Sequence, residues 1–219
     1  MRCTLMTGLV AAALTAAAAP AALAAAKGEF FNGKDFTGWE GLTDRFWKVK
    51  PASQTGGEGA IVGSTFPKGN DFNTFLCSKK KYKDFDLKFQ VKLTGKGWSG
   101  NSGVQIRSKI HDEKHFAVTG PQCDMGEGWW GSLYGENFGG MMKAADAAKV
   151  NKVLKKDDFN DYHIKCVGKH VTITINGLTT IDDDFEKLPD EGIIAFQLHG
   201  GGPMEVVFRK IKFKELDRK

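Results

Sequence analysis

Proline is scarce in this chain, 6 of 219 residues, and no segment repeats. That excludes collagen-like, mucin-like and extended Pro-rich architectures. Cysteine is also rare. Beyond Cys3 only Cys77, Cys123 and Cys166 occur, at wide spacing, which fits neither a zinc pattern nor a disulfide framework. Cys166 alternates with Ile164 and reads as a small core hydrophobe; one disulfide pair is still open in an oxidising compartment, with no pairing specified. Excess charge of one sign is missing as well. Lys and Arg number 31 against 26 Asp and Glu, a net +5 with both signs interspersed, too mild for a nucleic-acid surface. There is no phosphate-cradling glycine loop, no His-Glu-x-x-His and no Gly-x-Ser-x-Gly elbow.

A long apolar run occurs only at the start. Residues 1–26 carry one charge, Arg2, then an Ala-rich stretch with small residues at Ala22-Leu23-Ala24. A basic start, a short apolar run and a small-residue cleavage site are the parts of a secretory signal peptide. A bilayer anchor needs about 20 strongly apolar residues, and this stretch is shorter and weaker. Cys3 precedes the apolar run, out of place for a lipid attachment site. The expectation is an exported protein, periplasmic or extracellular, with residues 27–219 forming one domain. A domain of that size buries about 70% of its unfolded surface, so it needs no staple.

What the chain does have is 27 Gly and 16 Phe, the composition of apolar strands joined by tight turns. The stretch Phe85-Asp86-Leu87-Lys88-Phe89-Gln90-Val91-Lys92-Leu93 alternates apolar and polar residues, the period of a sheet with one buried face. Tyr162-His163-Ile164-Lys165-Cys166 and Val171-Thr172-Ile173-Thr174-Ile175 do the same. Gly168-Lys169 joins these two strands, and Asn176-Gly177 opens the next hairpin. Further strands are expected at 46–50, 60–62, 74–77, 103–108, 115–119, 122–125, 193–199 and 206–213, and a helix within 141–154 after Gly139-Gly140. Many short strands and little helix predict an all-β fold, a sandwich of two antiparallel sheets.

Three strands carry an unusual non-core face. Gln105 and Arg107 alternate with Val104 and Ile106. Gln122 and Asp124 alternate with Cys123 and Met125, and Gln197 and His199 with Phe196 and Leu198. Ordinary solvated faces favour Lys, Glu and Thr, so these residues predict a polar cleft on one sheet. The loop Gly126-Glu127-Gly128-Trp129-Trp130-Gly131-Ser132-Leu133-Tyr134-Gly135-Glu136 adds aromatics and carboxylates. That mixture suits pyranose rings, whose C–H faces stack on aromatics while hydroxyls bond to amides and carboxylates. One of the two tryptophans is expected to plug the end of the sandwich instead.

At this point the sequence resembles the 3-keto-disaccharide hydrolase domain family over about residues 28–216. The matching pieces are Phe31-Asn32-Gly33-Lys34-Asp35-Phe36-Thr37-Gly38-Trp39, Gly59-Ala60-Ile61-Val62-Gly63 and Tyr82-Lys83-Asp84-Phe85-Asp86-Leu87. They continue with Asn101-Ser102-Gly103-Val104-Gln105-Ile106-Arg107-Ser108, Phe159-Asn160-Asp161-Tyr162 and Gln197-Leu198-His199-Gly200-Gly201. The chain departs from the family in a longer stretch over 50–58, in Phe159 where Trp is common, and in its Trp-rich loop. The resemblance implies a jelly roll of the concanavalin and laminarinase type with a sugar cleft on the concave sheet. It also implies a substrate already oxidised to a ketone at C3 by a partner oxidoreductase.

A C3 ketone makes the C2 proton acidic and the C1 oxygen a leaving group, so cleavage needs a base, an enolate clamp and an acid. Under that implied chemistry His199 or Asp124 is the base, Arg107 the clamp, and Glu127 or Glu136 the acid. Gln105, Gln122, Gln197, Trp129, Trp130 and Tyr134 hold the sugar. Asp124, Glu127, Glu136 and His199 are also candidate ligands for a divalent cation; no other cofactor is called for. His111 and His115 are lesser candidates, expected to be structural or solvent-facing, and His163 and His170, in polar strand slots, are given no role. Two other classes remain open: a carbohydrate-binding module using the same cleft without catalysis, and a laminarinase-type glycan hydrolase. The second would need a Glu-x-Asp-x-x-Glu strand that the sequence lacks.

Overall fold

The structure, a computed structural model, describes residues 29–55, 57–95 and 100–217. The expected signal peptide lies outside them. Among the described residues no helix is long and apolar enough to cross a membrane.

The chain runs through β1 (Trp39–Glu40), α1 (Thr43–Phe46), β2 (Trp47–Lys50), α2 (Ala52–Thr55), β3 (Ala60–Ser64), β4 (Thr74–Tyr82) and β5 (Phe85–Thr94). It continues with β6 (Asn101–Asp112), β7 (Ala117–Gly126), β8 (Leu133–Glu136), β9 (Gly140–Lys143), α3 (Ala147–Val153) and β10 (Asn160–Val167). The last elements are β11 (His170–Ile175), β12 (Leu178–Asp184), β13 (Gly192–Leu198) and β14 (Glu205–Glu215). Two antiparallel seven-stranded sheets result. One has the order β1-β4-β13-β6-β7-β8-β9, and the other β12-β11-β10-β5-β14-β3-β2. This is the expected jelly-roll sandwich.

The alternation read from the sequence packs as predicted. Phe85, Leu87, Phe89 and Val91 point inward from β5, with Tyr162, Ile164 and Cys166 beside them on β10. Phe89 stacks on Tyr162 with ring centres 5.3 Å apart. From the opposite sheet Phe196 reaches across to Phe208, 4.5 Å away. The three cysteines among the described residues are buried free thiols. Burial raises all of their pKa values, that of Cys166 to about 12, so they act as core hydrophobes.

Two expectations are corrected. The span 141–154 is not one helix. Met141, Met142 and Lys143 belong to β9, and the helix starts only where Asp146 accepts hydrogen bonds from the amides of Ala148 and Lys149. The segments 115–119 and 122–125 are one strand, β7, running through Pro121. Proline is tolerated there because the β6–β7 register slips between Gln105 and Lys109.

That slip is a β-bulge and it shapes the molecule. Arg107 has φ 47, so Ile106 and Arg107 both leave the outer face, while Ser108 returns to it and donates to Gln105 Oε1 at 2.6 Å. Opposite, Gly120 (φ 147) lies against Ser108, where a Cβ would come within 2.2 Å of the hydroxyl. Beyond the bulge the tip of the β6–β7 hairpin folds back over its own sheet. Thr74 Oγ1 donates to the His115 carbonyl at 2.7 Å, and the Phe72 and His115 rings meet at 4.4 Å. This tip covers a second apolar cluster of Phe75, Cys77, Val118, Ile193 and Ala195, packed by Ile110 and Phe116.

Candidate functional site

The outer face of the first sheet holds a cavity of about 300 Å³ lined by Asn73, Asn101, Gln122, Asp124, Trp129, Tyr134, Glu136, Gln197 and His199. Strand register puts these side chains together. Gln122 pairs with Tyr134 across β7–β8, and Gly103 pairs with Asp124 across β6–β7. Because position 103 lacks a Cβ, the Gln122 side chain lies over it; a Cβ there would come within 2.6 Å of the Gln122 chain. From that seat Gln122 Nε2 donates to Asp124 Oδ1 at 2.6 Å and to Gln197 Oε1 at 3.3 Å. Its Oε1 accepts from Gln105 Nε2 at 2.8 Å.

Asp124 is only 3% exposed. Burial raises its pKa to about 7; the hydrogen bond from Gln122 opposes that shift, and the negative charge of Glu136 adds to it. A carboxyl that titrates near neutrality in a cleft is equipped for proton transfer. Glu136 is held at the rim by Asn73, whose Nδ2 donates to Glu136 Oε1 at 3.0 Å while its Oδ1 accepts from the Gly200 amide at 2.8 Å. Asn73 thus ties the end of β8 to the turn carrying His199. His199 Nδ1 lies 2.5 Å from the Gly200 carbonyl. A carbonyl only accepts, so Nδ1 carries the hydrogen and Nε2 is left for proton exchange.

The structure brings together Gln122, Gln197, Asp124, His199, Trp129, Tyr134 and Glu136 of the residues singled out in the sequence. It does not bring in the others. Arg107, expected as the enolate clamp, is turned away by the bulge into a fully buried network. It pairs with Asp84 Oδ1 at 2.8 Å and donates to the carbonyls of Lys83, Gly168 and Pro189. Glu127 is exposed and borders a separate hollow with Trp130 and Lys155. Gln105 is buried behind Gln122 and holds it from below without lining the cavity. Asn73 and Asn101 were missed. Asn101 continues the period-two series of Gly103 and Gln105 and was legible on that ground, whereas nothing in the sequence marks Asn73.

The tryptophan pair divides as expected. Trp129 lines the cavity edge-on to Tyr134 at 5.9 Å, while Trp130 packs on the inter-sheet core near Tyr162. Trp129→Ala is therefore expected to change the melting temperature little. Trp130→Ala should cost about 3 kcal/mol of stability. Calorimetry of both variants checks this; equal destabilisation by the two would contradict the division of roles.

The cation candidates do not form a ligand set. Asp124, Glu136 and His199 share the cavity and Glu127 does not, and among the described residues no group of three His, Cys, Asp or Glu side chains is placed to hold a metal ion.

The jelly-roll sandwich recurs in solved structures. A Parabacteroides distasonis ATCC 8503 protein, provisionally named a glycosyl hydrolase, is similar with a TM-score of 0.57 and 23% identity, over 85% of this chain and 92% of its own. Carbohydrate-binding module CBM66 of Bacillus subtilis gives 0.57 at 12% identity, over 82% and 96% of the two chains. The cellulose-induced protein Cip1 gives 0.56 at 9% identity, over 82% and 87%. These likenesses are of fold. No curated protein matches the sequence. The sequence itself is more specific: the 3-keto-alpha-glucoside-1,2-lyase-like domain matches residues 27–214, and the chain belongs to that family.

Proposed function

We propose that the protein cleaves 3-keto-glycosides by removing the C2 proton and expelling the C1 oxygen, with Asp124 as base. The carrying observation is the Asp124 carboxyl, buried among amides in the cleft and titrating at about 7. Asp124 takes the C2 proton, and the C–H electrons form an enolate on the C3 oxygen. The enolate collapses, C1=C2 forms, and the C1–O bond breaks. His199, as imidazolium, gives the departing oxygen its proton from Nε2. Water added across C1=C2 makes the net reaction a hydrolysis; release before addition makes it a lyase. Trp129 and Tyr134 carry the ring, and Glu136 and Asn101 take hydroxyls.

Two further elements belong to the reading. The basic, Ala-rich start supports export, and the C3 ketone requires an oxidoreductase that makes it from the glycoside. Mass-spectrometric turnover of 3-keto-glucosides and 3-keto-disaccharides beside their unoxidised parents is the test. Cleavage of the keto forms alone is expected. Sugar binding without turnover of any keto form would leave a carbohydrate-binding module in its place.

The role of His199 has its own signature. His199→Ala should slow release of a sugar or alkyl aglycone about 10²-fold but leave a nitrophenyl aglycone, which departs without a proton, close to the wild-type rate. Equal loss on both would remove His199 from the acid role.

A further inference from the structure

Gln122 gives its amide nitrogen to Gln197 Oε1, so the Gln197 nitrogen is turned the other way. Gln197 is 1% exposed and lines the cavity, yet among the described residues its Nε2 has no hydrogen-bond partner. A buried donor without an acceptor costs about 1–3 kcal/mol, and such a group is expected where a ligand supplies the acceptor. We propose that Gln197 donates to the C3 oxygen of the substrate and stabilises the enolate charge as it develops, the task the sequence assigned to Arg107. The inference rests on the C2-deprotonation reading above and specifies it.

Position supports the assignment. Phe196 pairs with Val104 and Asp124 with Gly103, so Gln197 and Asp124 stand in one row on either side of Gly103. Gln122 touches both. C2 and C3 are bonded neighbours, so a base for one and a donor for the oxygen on the other must also be neighbours. A neutral N–H gains more from the enolate than from the ketone, which is the condition for lowering the barrier rather than tightening binding.

The direction of that donor follows the polarity of the amide row. Ser108 Oγ donates to Gln105, Gln105 to Gln122, and Gln122 to the Asp124 carboxylate. In the opposite polarity the Gln105 nitrogen turns to the Pro121 and Gly120 carbonyls at 3.2 and 3.3 Å. Gln122 then presents its oxygen to Asp124, an arrangement satisfied only by a protonated carboxyl. The form of Asp124 able to accept a proton is thus the form that aims the Gln197 N–H into the cleft.

The experiment uses 1,5-anhydro-3-keto-glucitol, which has no aglycone to lose, and follows C2 hydrogen–deuterium exchange in D2O by proton NMR, with affinity measured separately. Wild type is expected to exchange C2. Gln197→Met should slow exchange about 10²–10³-fold with affinity changed only a few-fold, and Gln197→Glu, which adds a repelling charge, should be slower still. Exchange in Gln197→Met or Gln197→Glu at the wild-type rate would overturn the assignment while leaving C2 deprotonation intact. Parallel loss of affinity and exchange would also overturn it, making Gln197 a ground-state contact. No exchange in wild type would remove the deprotonation reading and this inference with it.

Discussion

Asp124→Asn is expected to abolish turnover of 3-keto-glycosides, by about 10³–10⁴-fold or more, and at the same time to make the protein more stable above neutral pH. The two effects share one cause. Burial holds the Asp124 pKa at about 7, against 3.8 for the free side chain. The folded state therefore binds this proton more tightly than the unfolded state does. The stability linked to it is fully present below pH 4 and is lost as pH rises through 7. At pH 8 the ionised, buried carboxylate costs up to about 4 kcal/mol, which a neutral Asn avoids. Melting temperatures of the two proteins should coincide near pH 4 and separate progressively towards pH 8, with Asn the higher. Activity runs the other way, since the base must be ionised, so kcat/KM of the wild type should rise through pH 7. A variant that is inactive and also less stable at pH 8 would make Asp124 a structural residue.

Arg107→Ala should be among the most damaging substitutions for stability, costing about 3–5 kcal/mol, because it leaves the Asp84 carboxylate buried without its partner. The guanidinium joins β6 to the β4–β5 turn, the β10–β11 turn and the loop before β13 through four acceptors. Lysine has neither the reach nor the planar fork for that set, so Arg107→Lys should recover little. The combined change Arg107→Met with Asp84→Leu should be less destabilising than Arg107→Ala alone, since no charge is stranded. Urea denaturation measures these differences. For the fraction that remains folded, kcat and its pH profile should be unmoved, whereas a clamp on the enolate would lower kcat at full stability.

Arg107 also shows where the sequence stopped being legible. Strands β5, β10 and β11 obey a strict period of two, and the turn at Asn176-Gly177 meets its demand for positive φ. The centre of the second sheet could therefore be read from hydrophobic alternation. The same rule carried one step too far along β6 placed Arg107 beside Gln105. A bulge inserts one residue and moves the next side chain to the other face, and no glycine at 107 announces it. The polar series on β7 and β13 has no such interruption, so Asp124, Gln122, Gln197 and His199 emerged together. Asn73 precedes β4 in a loop whose course depends on contacts with Gly200 and Glu136, on segments distant in sequence. Loop positions of that kind are set by tertiary packing, and a period-two reading gives no hold on them.

The central claim is that chemistry begins at C2 of an oxidised sugar. The direct measurement compares cleavage of a 3-keto-glucoside carrying hydrogen at C2 with the same compound carrying deuterium there, beside the unoxidised parent. The account predicts a several-fold slower reaction for the deuterated ketone and none for the parent. Equal rates for the two ketones together with cleavage of the parent would place bond breaking at C1 directly and contradict it.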